Sequence, residues 1–213
     1  MLRAARPGAG PRRRQGRRWP RLSLTRQRYT FDEWIDAPEN TTLSELVEGI
    51  PVERMSTSSN HGWVAKALWR WLDKAEQAGF GIVQAGPVAV ILDASGARRN
   101  VREPDFCFLR QERAYLDTGR AIEGVPDLII EILSPTNRND QLPGGEIWRD
   151  YERFAVPAYW IVDRASRTVT QYLHEHGTFR EEAHLHANGV LASPLFPGIT
   201  LPVDDLFSNL RGR

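Results

Sequence analysis

Cysteine is nearly absent from this 213-residue chain, which has only Cys107. A single thiol excludes an intramolecular disulfide and a cysteine-type zinc cluster, and it sets a reducing, cytoplasmic location as the expectation. Lysine is almost as scarce, with Lys66 and Lys74 alone. The chain therefore carries its positive charge on arginine, and no lysine is available for chemistry anywhere beyond Lys74. No run of about 18 apolar residues occurs, which excludes a membrane-spanning helix. No apolar stretch follows the early arginines, so no secretory signal is expected. Residues 1–28 also lack any acid while holding ten arginines.

That last absence explains the charge balance. The formal total is +1, from 28 bases and 27 acids, yet residues 29–213 hold 18 of the bases and all 27 acids, a net of −9. The expected organisation is an Arg-rich disordered tail over residues 1–28 and one domain over 29–213. Ten cations in the tail could neutralise nucleic-acid phosphates. The plainer reading is a leader that packs against nothing. The 41% hydrophobic content and seven tryptophans argue against disorder in the body, and about 185 residues suffice for one real core.

Hydrophobic periodicity places the elements. Thr30 and Glu33 have capping-box spacing and open a short helix over residues 31–36. Two short strands, at 43–47 and 50–55, turn at Glu48-Gly49. An N-cap at residues 58–60 begins a long helix ending at Gly79, with the stripe Val64, Ala67, Leu68, Trp71, Leu72, Ala75. Trp69 falls off that stripe; an exposed Trp there marks either a partner surface or homodimer contact, or a ring lying flat over its own helix's side-chain stems. Strands follow at 80–85, 88–92, 105–109 and 127–133. A helix over 145–154 shows Ile147, Trp148, Tyr151 and Phe154 on one face. The strands at 159–162, 168–173 and 179–186 end in a hairpin. The alternation predicts a mixed α/β domain.

Glu131 is the anomaly in this pattern. It stands mid-strand among Leu128, Ile129, Ile130, Ile132 and Leu133, where a carboxylate costs several kcal/mol unless paired, hydrogen-bonded or metal-bound. Either a buried ion pair with an arginine or an acid facing a site would account for it. Asp105 has a similar position at the start of its strand, behind Pro104. Two carboxylates on adjacent strands are hard oxygen donors suited to Mg²⁺ or Mn²⁺, which can activate water and neutralise charge on a phosphodiester. His174, His176, His184 and His186 lie on the two arms of the predicted hairpin, where convergence would suit zinc; ordinary exposed hairpin residues are the plainer reading.

Pro104-Asp105 followed by Glu131-Ile-Leu133 resembles the core of the PD-(D/E)XK nuclease superfamily. The finer resemblance is to its bacterial restriction-endonuclease branch, the Uma-two family. It runs from Tyr29-Thr-Phe-Asp-Glu-Trp through Ser44-Glu-Leu-Val-Glu-Gly49, His61, Gly124-Val-Pro-Asp-Leu-Ile-Ile-Glu-Ile-Leu-Ser-Pro135 and Val156-Pro-Ala-Tyr-Trp-Ile-Val-Asp163 to Ser193-Pro-Leu-Phe-Pro-Gly198. The resemblance implies a restriction-endonuclease-like mixed sheet flanked by helices. It also implies Mg²⁺-assisted hydrolysis of DNA, with Asp105 and Glu131 as metal ligands and Glu45 as an early acid near the metal. The Ile132 carbonyl is a further implied ligand, and His61 is expected to serve the helix start.

The resemblance fails at one position. The superfamily lysine is expected two residues after Glu131, where Leu133 stands, or, in this branch, four residues before Tyr151, where Ile147 stands. Such a lysine orients the attacking water and stabilises transition-state charge, and losing one contributor of this kind typically costs about 10²–10³ in rate. Arg149 points away from this face, and Arg138 is the better-placed substitute cation. Two functions therefore stand side by side: a metal-dependent nuclease, and a catalytically inactive nuclease-fold binding or structural module.

Overall fold

The structure, a computed structural model, describes residues 27–37, 44–53, 58–135 and 138–211. The expected tail lies outside these residues apart from its last two. Thr30 and Glu33 form the predicted capping box, Thr30 accepting from the Glu33 N–H and Glu33 from the Thr30 N–H, and they open α1 (Phe31–Ile35). Strands β1 (Ser44–Val47) and β2 (Ile50–Glu53) join through Glu48 and Gly49, both at positive φ (48° and 85°). Two left-handed residues give the twist a two-residue hairpin needs. A side chain at Gly49 would also press within 2.9 Å of the Tyr29 carbonyl.

The long helix α2 (Ser59–Gln77) starts where Ser58 Oγ accepts the His61 N–H. It buries Val64, Leu68, Trp71, Leu72 and Ala75, and Trp69 is 40% exposed, as the stripe predicts. Next come β3 (Gly81–Ala85), β4 (Val90–Ile91), β5 (Val101–Arg102), β6 (Phe106–Arg110), β7 (Ile122–Glu123) and β8 (Leu128–Ile132). After them lie α3 (Arg138–Gln141), α4 (Glu146–Arg153), β9 (Ala158–Asp163) and the hairpin of β10 (Thr168–Glu175) with β11 (Thr178–Leu185). The described chain closes with β12 (Val190–Leu191), β13 (Leu201–Pro202) and α5 (Val203–Phe207).

Six strands make the main sheet in the order β11-β10-β9-β8-β6-β3. Only β8 and β9 run parallel in it, Glu131 facing Ile161 across the pair. A second sheet, β2-β1-β5-β4-β7, packs over α1 with Phe31, Trp34, Leu46, Ile91 and Val101 beneath it. The main sheet is covered on both faces, which is why β8 is apolar on both sides. Leu128, Ile130 and Ile132 meet α2, where Trp71 stacks on Trp160 at 5.8 Å. Ile129 and Leu133 meet α4 through Ile147, Trp148 and Tyr151. This is the expected mixed α/β architecture. No helix among the described residues is long and apolar enough to cross a membrane.

Two elements depart from the expected bounds for a physical reason. The strand expected over 88–92 forms only at Val90–Ile91, because its partners are a two-residue β5 and a two-residue β7. The strand expected from Asp105 begins at Phe106. Asp105 stops short of the ladder and uses its carboxylate on β8 instead, accepting the Ile132 N–H at 2.7 Å.

Candidate active site

Alternation along β8 sends Glu131 to the α4 side with Ile129 and Leu133. Its carboxylate is 1% exposed. Tyr151 Oη donates to one oxygen at 2.8 Å and Gln141 Nε2 to the other at 2.9 Å. Both donors are neutral, and both come from the helical layer above the sheet. Burial pushes the Tyr151 hydroxyl far above its ordinary range, with the Glu131 charge adding to it, so Tyr151 stays protonated and keeps donating. Tyr159, from β9, donates to the Gln141 carbonyl at 3.0 Å and anchors that residue in turn. Gln141 Oε1 is buried and has no hydrogen-bond partner among the described residues.

Asp105 sits one residue before β6, level with the end of β8. Besides the Ile132 N–H, its carboxylate meets His61 Nε2 at 3.0 Å. The expected helix-start bond of His61 exists, but the backbone N–H makes it. The imidazole is left to reach across to Asp105. Burial raises the Tyr159 hydroxyl, followed by Glu131 and then Asp105. The two acids thus act on one tyrosine from neighbouring strands.

Glu45 has a different surrounding. On β1, its Oε2 takes Arg102 Nη1 at 2.8 Å and its Oε1 takes the Glu103 N–H at 3.1 Å. Arg102 is 2% exposed and reaches from β5 to α4, where it also bonds Asp150 through Nε at 3.0 Å and through Nη2, and Glu146 at 3.1 Å. Burial alone would lower the Arg102 pKa; the Glu45 and Asp150 charges outweigh it, and the guanidinium stays ionised. One cation therefore ties the small sheet to α4 beside the acids.

The structure brings Asp105 and Glu131 together at the paired ends of β6 and β8 and holds Glu45 in an ion pair. Among the described residues no three His, Cys, Asp or Glu side chains form a group able to hold a metal by themselves. Ile147 is 7% exposed and packs in the α4 cluster with Leu133 and Tyr151. Arg138, the substitute cation suggested by sequence, pairs instead with Asp163 at 2.7 Å. Burial pushes the Asp163 carboxyl up, but hydrogen bonds from Arg138, Ser166 and the Ala165 N–H prevail and hold it at about 2. The four hairpin imidazoles do not converge: His184 bonds Thr170 and packs on His186, while His174 Nε2 reaches the Glu152 carbonyl at 3.0 Å.

Sequence reasoning missed Arg102, Gln141 and Tyr159. Arg102 lies in a two-residue strand too short for periodicity to register. Gln141 stands in a four-residue polar helix, and Tyr159 reads as an ordinary apolar strand residue.

A family model described as "Putative restriction endonuclease" (Uma2) matches residues 29–204. Among solved structures, the chain resembles a crystal structure described as a putative nuclease belonging to DUF820 from Anabaena variabilis. The TM-score is 0.65 at 18% identity, over 84% of this chain and 97% of that one. At that identity the likeness speaks for the fold alone. No curated protein matches the chain.

Proposed function

The chain belongs to the Uma2 family, and from that premise we propose that it is a metal-dependent nuclease acting on DNA phosphodiesters. The observation that carries the reading is the pair Asp105 and Glu131, two carboxylates at neighbouring strand ends inside a nuclease fold. Mg²⁺ is usually bound through one or two carboxylates, with waters and substrate phosphates completing its sphere, so this donor set fits Mg²⁺ or Mn²⁺. Such an ion, when bound, neutralises charge developing on the phosphate and lowers the pKa of a bound water.

The chain's own residues supply the rest. Tyr151 and Gln141 fix the Glu131 carboxylate from above, at 2.8 and 2.9 Å. His61 and the Ile132 N–H fix Asp105 from the sides. Residues held this way need no reorganisation when charge develops, and preorganisation of that kind is the larger part of electrostatic catalysis. Glu45 stands near Tyr151 but is engaged by Arg102, so its role is positional.

A second reading, an inactive nuclease-fold binding module, draws support from Ile147. That position packs an apolar side chain where the family resemblance expects a lysine. A nuclease assay with Mg²⁺ and Mn²⁺ on duplex DNA separates the two. Cleavage by wild type that disappears in Glu131→Ala and Asp105→Ala supports the first reading. Cleavage absent from wild type and gained in Ile147→Lys supports the second. Wild-type cleavage that survives both acid substitutions removes Asp105 and Glu131 from the site.

A further inference from the structure

An open groove of about 900 Å³ lies at the carboxyl ends of β8 and β9, lined by Leu133, Arg138, Asp163, Arg164 and Arg167 among others. Ligands of α/β sheets collect outside the carboxyl ends of parallel strands, and β8 with β9 is the parallel pair of the main sheet. Leu133 is two residues past Glu131, so the groove begins about 7 Å along the strand from that acid.

Its charge runs against that of the rest of the domain. Residues 29–213 carry a net −9, while three guanidiniums and one carboxylate line this groove. Arg138 is neutralised by Asp163. Among the described residues Arg164 is not: its guanidinium bonds the Leu133 carbonyl at 3.2 and 3.1 Å and Ser58 Oγ at 2.7 Å, all neutral acceptors. That holds the cation rigid without cancelling it. Arg167, exposed at the turn between β9 and β10, makes no ion pair or hydrogen bond among the described residues. Asp163 Oδ1 accepts the Ala165 N–H at 2.9 Å and stiffens the turn that presents both. On the rim, Asn60 pins the Arg211 backbone at 2.8 and 3.0 Å, and the Arg211 guanidinium sits 5.9 Å over Trp63.

We infer that this groove binds the phosphodiester backbone of the nucleic acid, with Arg164 and Arg167 as its phosphate contacts. Against a body of net negative charge, a local positive groove focuses a polyanion toward the end of β8 that carries Glu131. The inference rests on the nuclease reading for the identity of the strand held; binding itself is measured without cleavage.

The test uses the full chain in EDTA and anisotropy of a labelled DNA duplex of about 20 base pairs, titrated with salt from about 50 to 300 mM. Arg167→Asn keeps a side chain that tolerates the positive φ of 55° at this position. It is expected to weaken binding about fivefold at roughly 0.15 M salt and to flatten the log–log salt slope by about 0.9, the value of one phosphate contact. Adding Arg164→Gln should roughly double the slope change. Arg180→Gln, the same charge change on β11, should leave affinity near wild type. The ten arginines of residues 1–28 are present throughout and cancel in the differences. An unchanged slope in Arg167→Asn, an equal loss in Arg180→Gln, or no binding by wild type overturns the inference. In the parallel assay with Mg²⁺ and Mn²⁺, wild-type cleavage together with an unchanged binding slope in EDTA removes the groove and leaves the nuclease reading. Groove-dependent binding in EDTA with no cleavage in that metal assay does the reverse.

Discussion

Replacing Arg102 with methionine tests whether the buried cation network governs stability. The Arg102 side chain is 3% exposed, and its partners Glu45 and Asp150 are 6% and 13% exposed. The Glu146 side chain is 51% exposed, so that third bond is worth little. Methionine fills most of the volume but leaves two buried carboxylates without their cation, and breaking a buried pair from one side costs about 3–5 kcal/mol. A domain's whole stability is about 5–15 kcal/mol, so Arg102→Met should fold with a small margin. At about 2–4 °C per kcal/mol for a domain of this size, the melting temperature should fall by roughly 6–20 °C. Urea unfolding followed by tryptophan fluorescence reads the same loss, with the denaturant slope unchanged. The triple change Arg102→Met, Glu45→Gln, Asp150→Asn should recover much of it, because no uncompensated charge remains. A loss below about 1 kcal/mol in Arg102→Met would refute the claim that these carboxylates depend on Arg102.

Three further outcomes follow from the same geometry. Ile147→Lys places an ammonium on the apolar face of α4, 7% exposed in the parent, and should cost about 1–3 kcal/mol in urea unfolding, consistent with a buried unpaired charge partly relieved by snorkelling. Arg138→Gln removes the strongest hydrogen bond holding Asp163 at about 2. A depressed carboxyl stabilises the fold above its unfolded pKa, so the wild-type advantage, about 1 kcal/mol at pH 7 after allowance for a 41% exposed Arg138, should fade as pH falls from about 4 to 2 in acid titrations of stability. Burial pushes the Cys107 thiol up to about 12; a thiol reagent at neutral pH should therefore leave Cys107 unmodified in native protein and label it on unfolding.

Periodicity and capping in the sequence by themselves determined much of the fold. The α2 stripe is legible because side chains recur every 3.6 residues, and β8 because a doubly covered strand must be apolar on both faces. The anomaly of Glu131 came from the same logic, since a charge mid-strand breaks a pattern that is otherwise complete. Asp105 and Glu131, 26 positions apart, were paired from their similar strand placement, and the family resemblance gave that pair its role as expected metal ligands.

The tertiary structure alone decided which groups surround these acids. Hydrogen-bond partners such as Tyr151 and Gln141 for Glu131, or His61 for Asp105, arrive from elements separated by 10 to 44 positions. No local propensity encodes such meetings. Charge makes the same point. From sequence, the family resemblance put the missing cation at Ile147, and the scarcity of lysine left Arg138 as the suggested replacement. Packing instead buried Arg102 between β1 and α4, and placed Arg164 and Arg167 at one sheet end with no ion pair among the described residues. Composition counts charges, but a charge's energy depends on burial and on what lies within about 4 Å, and only folding sets those two quantities.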